Sequence, residues 1–342
     1  MPGPLLFVLD VALLGIALLV FATFHHVLPS RQEAVGITST RGGVATPAPD
    51  AAEPTPAPTD APDRVSTLPD MPVVADQPVA ADEAELSGYF GNKYADKFVS
   101  GAPVYTQTAD GFTYVSENVN LTFTRYNTNG VVFYVADFYV RDITNYRTAF
   151  ANDAYGKGQR ESVPSMSSRL SALIAVNGDY YGTRSDGIII RNGTLYRNEQ
   201  SGNDVCVLYW DGTMRTFGPR EVTGEALMEQ GAYQSWDFGP ALLDEYGQPK
   251  TSFNSTVGPK NPRTALGYYE PGHYCIVVVD GRSSESAGLG LTNLSELMYN
   301  LGCVAAYNLD GGQSSVMTWQ GSVINVPYNG GRKSSDCVYI GE

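Results

Sequence analysis

Three apolar segments of the chain each end in a carboxylate beside a glycine, and together they could supply a polar site. The acids and their polar neighbours are Asn177 with Asp179, Asp280 with Arg282, and Asn308 with Asp310. A buried carboxylate is costly unless it is paired or hydrogen-bonded, so three of them after strand-like segments indicate a site with cations nearby. A single Asp-Gly pair is typical of an ordinary turn, so the prediction depends on all three endings.

Two arginines could provide the cationic partners. Arg263 lies in the stretch NPRTALGY, and Arg282 follows Asp280 by two residues. A guanidinium group is planar and donates two parallel hydrogen bonds to a carboxylate or a phosphate. The pattern therefore predicts a pocket in which acids and arginines bind an anionic ligand.

A calcium site is an alternative for the same three acids. Oxygen ligands on glycine-flanked loops suit Ca²⁺, so Asp179, Asp280 and Asp310 leave calcium open as a cofactor. The chain has no EF-hand spacing, and the nearby arginines would compete with the ion. No other cofactor is indicated.

A serine hydrolase is a weaker alternative. Ser315 is followed by Val316, where a nucleophile elbow has glycine. His273 is the only histidine beyond residue 41, and it follows a Pro-Gly turn, where a solvated side chain is the ordinary expectation. The residue pattern therefore disfavours this chemistry.

Composition limits the partners. The 342 residues carry a formal net charge of −14 at pH 7 and no run of Lys or Arg, so nucleic acid is not expected to bind. The four cysteines form no CxxC pair, which argues against a zinc or redox site; they are Cys206, Cys275, Cys303 and Cys337. Disulfides stay open if the domain is exported, but apolar surroundings favour free thiols.

The first 85 residues predict an anchor and a stalk. Leu5–Phe24 is apolar, long enough to cross a bilayer and not followed by a cleavage site, so residues 1–41 are expected to contain a transmembrane helix. Residues 42–85 are rich in Pro, Ala, Thr and Asp, which predicts a disordered linker. We expect a single-pass cell-membrane protein with an extracellular globular domain. A cytosolic linker is the alternative, and the charges around the helix do not favour export.

Residues 86–342 predict one β-rich domain. Two alternating segments, Val119–Tyr126 and 131–143, flank the turn Asn127–Gly130 and predict an antiparallel hairpin. Two further hairpins are predicted around Asn192-Gly193 and Asp211-Gly212.

Helices are few and irregularly placed among these strands. Apolar spacing predicts them at Pro164–Leu173, Thr223–Gly231 and Asn293–Leu301, with Asn293 as the N-cap of the last. Because strands and helices do not alternate regularly, the expected fold class is α+β. We predict a large mixed, partly antiparallel sheet with a few flanking helices.

Ordered motifs across residues 86–342 resemble the phosphodiester glycosidase family. They are AVNGDYYG at 175–182, WDFGPALL at 236–243, NPRTALGY at 261–268, VVVDGR at 277–282 and AAYNLDGGQSSVM at 305–317. Each motif is short, but their order and spacing are consistent. The resemblance implies a hydrolase that cleaves the bond between a sugar of the N-acetylglucosamine type and phosphate, in a phosphodiester-linked glycan or a cell-surface glycopolymer.

The resemblance also implies roles for individual residues. Asp310 is expected to activate water or to stabilise an oxocarbenium-like transition state, with Asp179 or Asp280 as the second catalytic acid. Arginines, loop N–H groups and a serine hydroxyl would bind the phosphate, and two asparagines would hold sugar hydroxyls. The implied substrate contacts are Asn177, Arg263, Thr264, Arg282, Asn308, Gly311, Gly312, Ser314 and Ser315.

Two positions depart from the family pattern. Gln313 stands where the family commonly has glycine, which would alter the loop if that position needs a positive φ. Asp179 stands where another common form of the family motif has glycine, so the role predicted for Asp179 depends on its chemistry and not on the family pattern. The rival function is a non-catalytic module that binds an anionic cell-wall glycopolymer in the same pocket.

Overall fold

Strands dominate the part of the chain that the computed structural model describes, residues 88–342. The strands are β1 (Val104–Gln107), β2 (Gly111–Val115), β3 (Val119–Thr128), β4 (Val131–Val140), β5 (Tyr146–Phe150), β6 (Ile174–Asn177), β7 (Gly187–Arg191), β8 (Thr194–Glu199), β9 (Val205–Tyr209), β10 (Met214–Phe217), β11 (Ala232–Trp236), β12 (Arg263–Glu270), β13 (His273–Val279), β14 (Ala305–Asn308), β15 (Met317–Trp319), β16 (Ser322–Val323) and β17 (Asp336–Ile340). The α-helices are α1 (Val163–Arg169), α2 (Gly224–Glu229) and α3 (Leu291–Asn300).

These strands form four sheets. Seven strands pair in the order β1-β2-β3-β4-β13-β12-β14, five in the order β16-β15-β6-β17-β5 and three in the order β10-β9-β11, while β7 pairs with β8. All of these pairs are antiparallel. The predicted large sheet is confirmed, but the prediction of a mixed sheet is wrong for residues 88–342. Short hairpins connect the longest neighbouring strands, and a hairpin produces an antiparallel pair.

The centre of the seven-stranded sheet is buried on both faces. Along β4, Tyr134 and Phe138 contact the core shared with the five-stranded sheet, whereas Phe133 and Val135 contact the core that contains α3. Successive side chains of a strand point to opposite faces, so a strand covered on both sides must be apolar at nearly every position. This explains the nearly continuous apolar sequence of β4.

The three hairpin predictions are confirmed. Asn129 and Gly130 have φ values of 50° and 70°, and Asn192 and Gly193 repeat the pattern with 50° and 77°. Positive φ at both central residues is the requirement of a type I′ turn, whose twist matches that of the strands. The Asp211-Gly212 turn connects β9 and β10.

The helix boundaries differ from the predicted ones. Helix α1 ends at Arg169, four residues before the predicted end, because the chain turns at Ser171 with a φ of 51°. Helix α3 begins at Leu291 with Gly290 as its N-cap, so the prediction that Asn293 caps this helix is wrong. Leu291 is buried, and its N–H donates to the carbonyl of Gly258 at 3.0 Å, so a neighbouring loop satisfies the helix end.

The anchor prediction at Leu5–Phe24 and the linker prediction at 42–85 lie outside the described residues. Between residues 88 and 342, no helix is both long and apolar enough to span a membrane. The four cysteines are buried and free, in agreement with the free-thiol prediction.

Candidate active site

Strand pairing brings the predicted site segments together. The antiparallel register places Arg263, the first residue of β12, beside Val279 at the end of β13. It also pairs Ala265 of β12 with Asn308 at the end of β14. The start of β12 therefore lies between two strand ends, and the acids that follow those ends enter the same region.

A cavity of about 290 Å³ lies at this junction. Five of the predicted site residues line it, together with one arginine that the sequence analysis did not select. The predicted residues are Arg263, Arg282, Asp310, Gly311 and Gly312, and the additional one is Arg332. Among the described residues that line this cavity, Asp310 is the only carboxylate. The cavity therefore carries one acid and three guanidinium groups.

Asp310 is held in a fixed orientation at the cavity wall. Its side chain is 10% exposed, and its Oδ2 accepts hydrogen bonds from Ser314 Oγ at 2.6 Å and from Arg332 Nη2 at 2.6 Å. Burial raises the pKa of the Asp310 carboxyl above its ordinary value, and the contacts with Ser314 and Arg332 act in the opposite direction. This is the environment of a carboxylate that is largely desolvated yet still reaches a cavity.

Arg332 is the candidate site residue that the sequence analysis missed. It lies in the segment GGRKSSD, which belongs to none of the three acid-bearing segment ends that the sequence analysis selected. Besides its bond to Asp310, its Nε donates to Ser314 Oγ, and its guanidinium lies 5.0 Å from the ring centroid of Tyr180. The only available signal was a basic residue after two glycines, which is too common to select a partner for Asp310.

Arg263 is a buried cation in the lining of the cavity. Its side chain is 2% exposed, and its Nε and Nη2 donate to main-chain carbonyls, including that of Leu289 at 2.9 Å and that of Val257 at 2.6 Å. Burial, followed by the charge of Arg282, lowers the pKa of Arg263 to about 10. The group is thus still charged at neutral pH, and an anion in the cavity would relieve its desolvation.

Arg282 contributes the second of these cations from an exposed position. Its Nε and Nη2 donate to Asn261 Oδ1 at 3.0 and 2.7 Å, and its guanidinium lies 5.1 Å from the ring centroid of Tyr328. Neither Arg282 nor Arg263 forms an ion pair with a carboxylate anywhere in residues 88–342. Their charge is therefore available to an anionic ligand.

The loop after Asp310 is shaped by two glycines. Gly312 has a φ of 64°, which favours glycine, and a Cβ on Gly311 would lie 2.7 Å from the carbonyl oxygen of Pro262. The positive φ falls on Gly312 and not on Gln313, so glutamine fits there. Gln313 instead donates from Nε2 to the carbonyl of Gly331 at 3.1 Å.

The predicted anion cradle of loop N–H groups is not formed by this loop. The N–H of Gly312 donates to the carbonyl of Pro262 at 2.9 Å, and that of Gly311 interacts with Asp310. The Ser314 hydroxyl donates to Asp310, while Ser315 is buried and its Oγ has no hydrogen-bond partner among the described residues. The three arginines are therefore the groups of the cavity lining that could bind an anion.

Three predicted substrate contacts, the two proposed sugar ligands Asn177 and Asn308 together with Thr264, lie outside the cavity lining. Asn177 Nδ2 donates to the carbonyl of Asp310 at 2.7 Å, and its Oδ1 accepts from Thr264 Oγ1 at 2.8 Å. Asn308 Nδ2 donates to the carbonyl of Gly239 at 2.7 Å. All three side chains are fully buried. They connect β6, β12 and β14, so their contacts position the Asp310 loop.

Asp280 also lies outside the cavity lining. Its carboxylate accepts hydrogen bonds from Tyr134 Oη at 2.9 Å, Asn325 Nδ2 at 2.9 Å and the N–H of Val326 at 3.1 Å. Burial raises the pKa of Asp280, and the bonds from Asn325 and Tyr134 oppose that shift. These contacts connect the end of β13 to the segment at Asn325, so Asp280 has a structural role.

Asp179 lies in a separate, closed cluster. Its Oδ1 lies 3.0 Å from Arg191 Nη2, which also contacts Asp336 Oδ2 at 2.8 Å. The side-chain exposures of Asp179, Arg191 and Asp336 are 0, 2 and 0%. Asp179, one of the two predicted candidates for the second catalytic acid, is thus paired and shielded from solvent, whereas Asp310 reaches a cavity.

The three acids do not converge on one point. Asp179, Asp280 and Asp310 each contact a different set of partners. Within residues 88–342, no group of three or more His, Cys, Asp or Glu side chains is placed to hold a metal ion. The calcium site therefore stays a prediction without a visible ligand set in this region.

Comparison with known proteins identifies the family of this chain. The family model described as "Phosphodiester glycosidase" matches residues 171–341, which is half of the chain. The SPbeta prophage-derived uncharacterized protein YomE of Bacillus subtilis is 36% identical over 182 residues, which cover 50% of this chain and 28% of YomE. The N-acetylglucosamine-1-phosphodiester alpha-N-acetylglucosaminidase of Bos taurus is 34% identical over 83 residues, which cover 24% of this chain and 16% of that enzyme. The chain thus spans less than a third of the length of either relative.

Solved structures show the same fold. The zebrafish N-acetylglucosamine-1-phosphodiester alpha-N-acetylglucosaminidase catalytic domain, auto-inhibited by its pro-peptide, matches with a TM-score of 0.52 and 22% identity, covering 71% of this chain and 85% of that one. A hypothetical protein from Synechocystis matches with a TM-score of 0.53 and 12% identity, covering 70% of this chain and 64% of that one. Together with the family match, these observations establish that the chain belongs to the phosphodiester glycosidase family.

Proposed function

We propose that the protein hydrolyses the bond between a sugar of the N-acetylglucosamine type and phosphate in a phosphodiester-linked glycan or cell-surface glycopolymer. The observation that carries this proposal is the cavity that joins one carboxylate, Asp310, to three guanidinium groups. The bovine and zebrafish relatives are named as enzymes that act on an N-acetylglucosamine-1-phosphodiester, which supports the choice of sugar and linkage.

The arginines account for the phosphate side of the substrate. A phosphodiester carries one negative charge, and its monoester product carries more, so charge develops on the phosphate as the bond breaks. Arg263 and Arg282 lack a carboxylate partner within residues 88–342 and would meet that charge in a partly desolvated cavity. We propose that they bind the phosphate in the ground state and stabilise it further in the transition state.

Asp310 accounts for the sugar side. Glycosidases ordinarily use two carboxyl groups, one of which protonates the departing oxygen. A phosphate monoester is already a good leaving group, so a single carboxylate in the cavity is sufficient in our proposal. Asp310 would activate a water molecule or stabilise positive charge at the anomeric carbon, and Ser314 and Arg332 would hold it in the required orientation.

Turnover of a defined diester tests the proposal. The purified full-length protein should release free N-acetylglucosamine and a phosphate monoester in equal amounts from N-acetylglucosamine-1-phosphate esterified to methanol. Both products are measured over time by chromatography. Boiled protein and the uncleaved diester serve as controls.

A non-catalytic binding module is the second candidate. The observation that favours it is the ion pair between Asp310 and Arg332 at 2.6 Å, because a paired carboxylate is a weaker base than a free one. Saturable binding of an anionic glycopolymer without release of either product would support the module and contradict hydrolysis.

We further propose that the domain is displayed outside the cell from a membrane anchor, on the strength of the apolar segment Leu5–Phe24 and the Pro-rich stretch 42–85. Protease added to intact cells should then remove the domain. Complete protection, with digestion only after the cells are lysed, would contradict this placement.

A further inference from the structure

Tyr180 has a backbone conformation that is rare for a bulky residue, and the proposed reaction makes no use of it. Its φ of 68° and ψ of 17° lie in the left-handed region, which favours glycine. This conformation costs free energy, and it persists only where the surrounding structure fixes it. Residues strained in this way are concentrated at functional sites, so the contacts of Tyr180 indicate what it could do.

Hydrogen bonds fix the chain on both sides of Tyr180. The buried carboxylate of Asp179 accepts hydrogen bonds from the N–H of Tyr181 at 3.2 Å and from that of Asp237 at 3.0 Å. The Tyr180 carbonyl accepts hydrogen bonds from the N–H of Thr183 at 3.3 Å and from Thr183 Oγ1 at 2.9 Å. The buried Asp179 and the turn after it therefore hold Tyr180 in its strained conformation.

The half-buried ring of Tyr180 contacts two guanidinium groups. That of Arg332 lies 5.0 Å from the ring centroid, and that of Arg160 lies 5.6 Å from it. Arg160 is itself held in place, because it donates a hydrogen bond to the Oγ of the buried Ser335. The face of an aromatic ring carries negative charge and attracts a cation. The ring therefore restricts where the Arg332 guanidinium can lie.

Arg332 transmits this restriction to Asp310. The Arg332 side chain is 40% exposed, and a long side chain in solvent samples several rotamers. Its Nη2 nevertheless has to stay 2.6 Å from Asp310 Oδ2 if the carboxylate is to keep one orientation. We propose that Tyr180 is a positioning residue, whose ring holds the Arg332 guanidinium so that Arg332 aligns the Asp310 carboxylate for the reaction.

This inference rests on the proposed hydrolysis and adds to it a residue that does not touch the substrate. Tyr180 is not part of the lining of the Asp310 cavity. Its effect therefore passes through Arg332, and its loss should lower kcat more than it raises KM. A ring that bound the sugar directly would instead act mainly on KM.

Two substitutions separate the ring of Tyr180 from its backbone, with N-acetylglucosamine-1-phosphate esterified to methanol as the substrate. Tyr180→Gly removes the ring, so kcat should fall about tenfold. Its thermal midpoint should stay the same or rise, because glycine adopts a positive φ without strain. Tyr180→Phe keeps the ring, and its kcat should stay within about threefold of the wild-type value. Tyr246→Ala is the matched control: Tyr246 is 75% exposed and lies outside the cavity lining, so neither quantity should change.

A double-mutant cycle tests whether Tyr180 acts through Arg332. Tyr180→Gly should lower kcat about tenfold in the wild type but less than about twofold in the Arg332→Met background, where the arginine is already absent. A change that acted independently of Arg332 would have the same effect in both backgrounds.

The pH dependence of kcat/KM provides a second readout that a purely structural role would not change. Arg332 lowers the pKa of Asp310, so a less firmly held Arg332 should move the acidic limb of the profile to higher pH in Tyr180→Gly. Arg263 and Arg282, the other charged groups among the described residues of the cavity lining, are the same in both proteins.

The outcomes separate this inference from the proposed function. Wild-type kcat in a folded Tyr180→Gly protein, equal losses in both backgrounds or an unmoved acidic limb would overturn the role of Tyr180 and leave the hydrolysis standing. Equal losses in Tyr180→Phe and Tyr180→Gly would assign the effect to the hydroxyl group, and a raised KM with unchanged kcat would place the ring against the substrate. Either result would also overturn the inference. Absence of turnover by the wild type would contradict the hydrolysis and this inference together.

Discussion

Two aspartate–arginine clusters of the molecule contain the same chemical groups but serve different roles. Asp310 and Arg332 form a pair whose arginine side chain is 40% exposed, at the wall of a cavity. Asp179, Arg191 and Asp336 form a cluster whose members are all within 2% of complete burial. Access to a cavity, and not the presence of an acid after a strand, separates a candidate catalytic carboxylate from a structural one.

The largest expected effect falls on the closed cluster. Arg191→Met would leave Asp179 and Asp336 buried without their cation, and removal of one partner from a buried ionic network costs about 3–5 kcal/mol. We expect the free energy of unfolding, measured by urea denaturation, to fall by this amount or the protein not to fold. A loss below about 1 kcal/mol would contradict the view that this cluster stabilises the fold.

The matched change in the open cluster should act on catalysis. Arg332→Met removes one cation from the cavity and releases Asp310, so kcat/KM for a sugar phosphodiester should fall about 100-fold. Stability should change by less than about 1 kcal/mol, because the Arg332 side chain is 40% exposed and Asp310 keeps its hydrogen bond from Ser314. Equal stability losses in Arg332→Met and Arg191→Met would erase the distinction between the clusters.

A smaller effect concerns the pH dependence of stability. Burial raises the pKa of Asp336 from 3.8 to about 7, and the charge of Asp179 adds to the shift while Arg191 opposes it. Between about pH 4 and pH 7 the folded state then binds more protons than the unfolded state, so this group makes stability decrease as pH rises through that window.

The slope expected from Asp336 is at most about 1.4 kcal/mol per pH unit. Urea denaturation at a series of pH values, for the wild type and for Asp336→Asn, measures the contribution as the difference between two curves. Parallel curves between pH 4 and pH 7 would show that Asp336 is already ionised in the folded protein.

The smallest expected effect is that of a chelator. Each of the three acids is engaged by hydrogen bonds or arginines in its own surroundings, so we expect hydrolysis to persist in excess EDTA. If EDTA abolished activity and Ca²⁺ restored it, this result would support the calcium hypothesis. There would then be no basis for assigning Asp310 a different role from Asp179 and Asp280.

Local patterns made much of the fold predictable. Type I′ turns require positive φ at two successive residues, so Asn192-Gly193 identified a hairpin without any knowledge of its surroundings. The N-cap of α3 was missed because a carbonyl from the loop at Gly258 satisfies that helix end, and a contact between distant segments leaves no mark in the local sequence. The mixed-sheet prediction was wrong for the same reason, because the direction in which two strands pair depends on contacts between distant segments.

The site was predictable in part. Asp310 and Arg282 were selected because charged residues after apolar segments are conspicuous, and Arg263 was selected as a candidate cationic partner in the stretch NPRTALGY. The structure places all three around one cavity. Arg332 was not selected because it reaches Asp310 from a loop with no periodic pattern. The burial of Asp179 also could not be anticipated, since Arg191 is contributed by a different strand.

The kcat/KM of Asp310→Asn on a sugar phosphodiester tests the central claim most directly. The exposed Asp96→Asn is the matched control, and thermal unfolding verifies that both variants fold. We predict a decrease of about 1000-fold or more for Asp310→Asn, because a carboxylate that acts on water or on the anomeric carbon is replaced by a neutral amide, and no change for Asp96→Asn. A folded Asp310→Asn protein with wild-type activity would contradict the account.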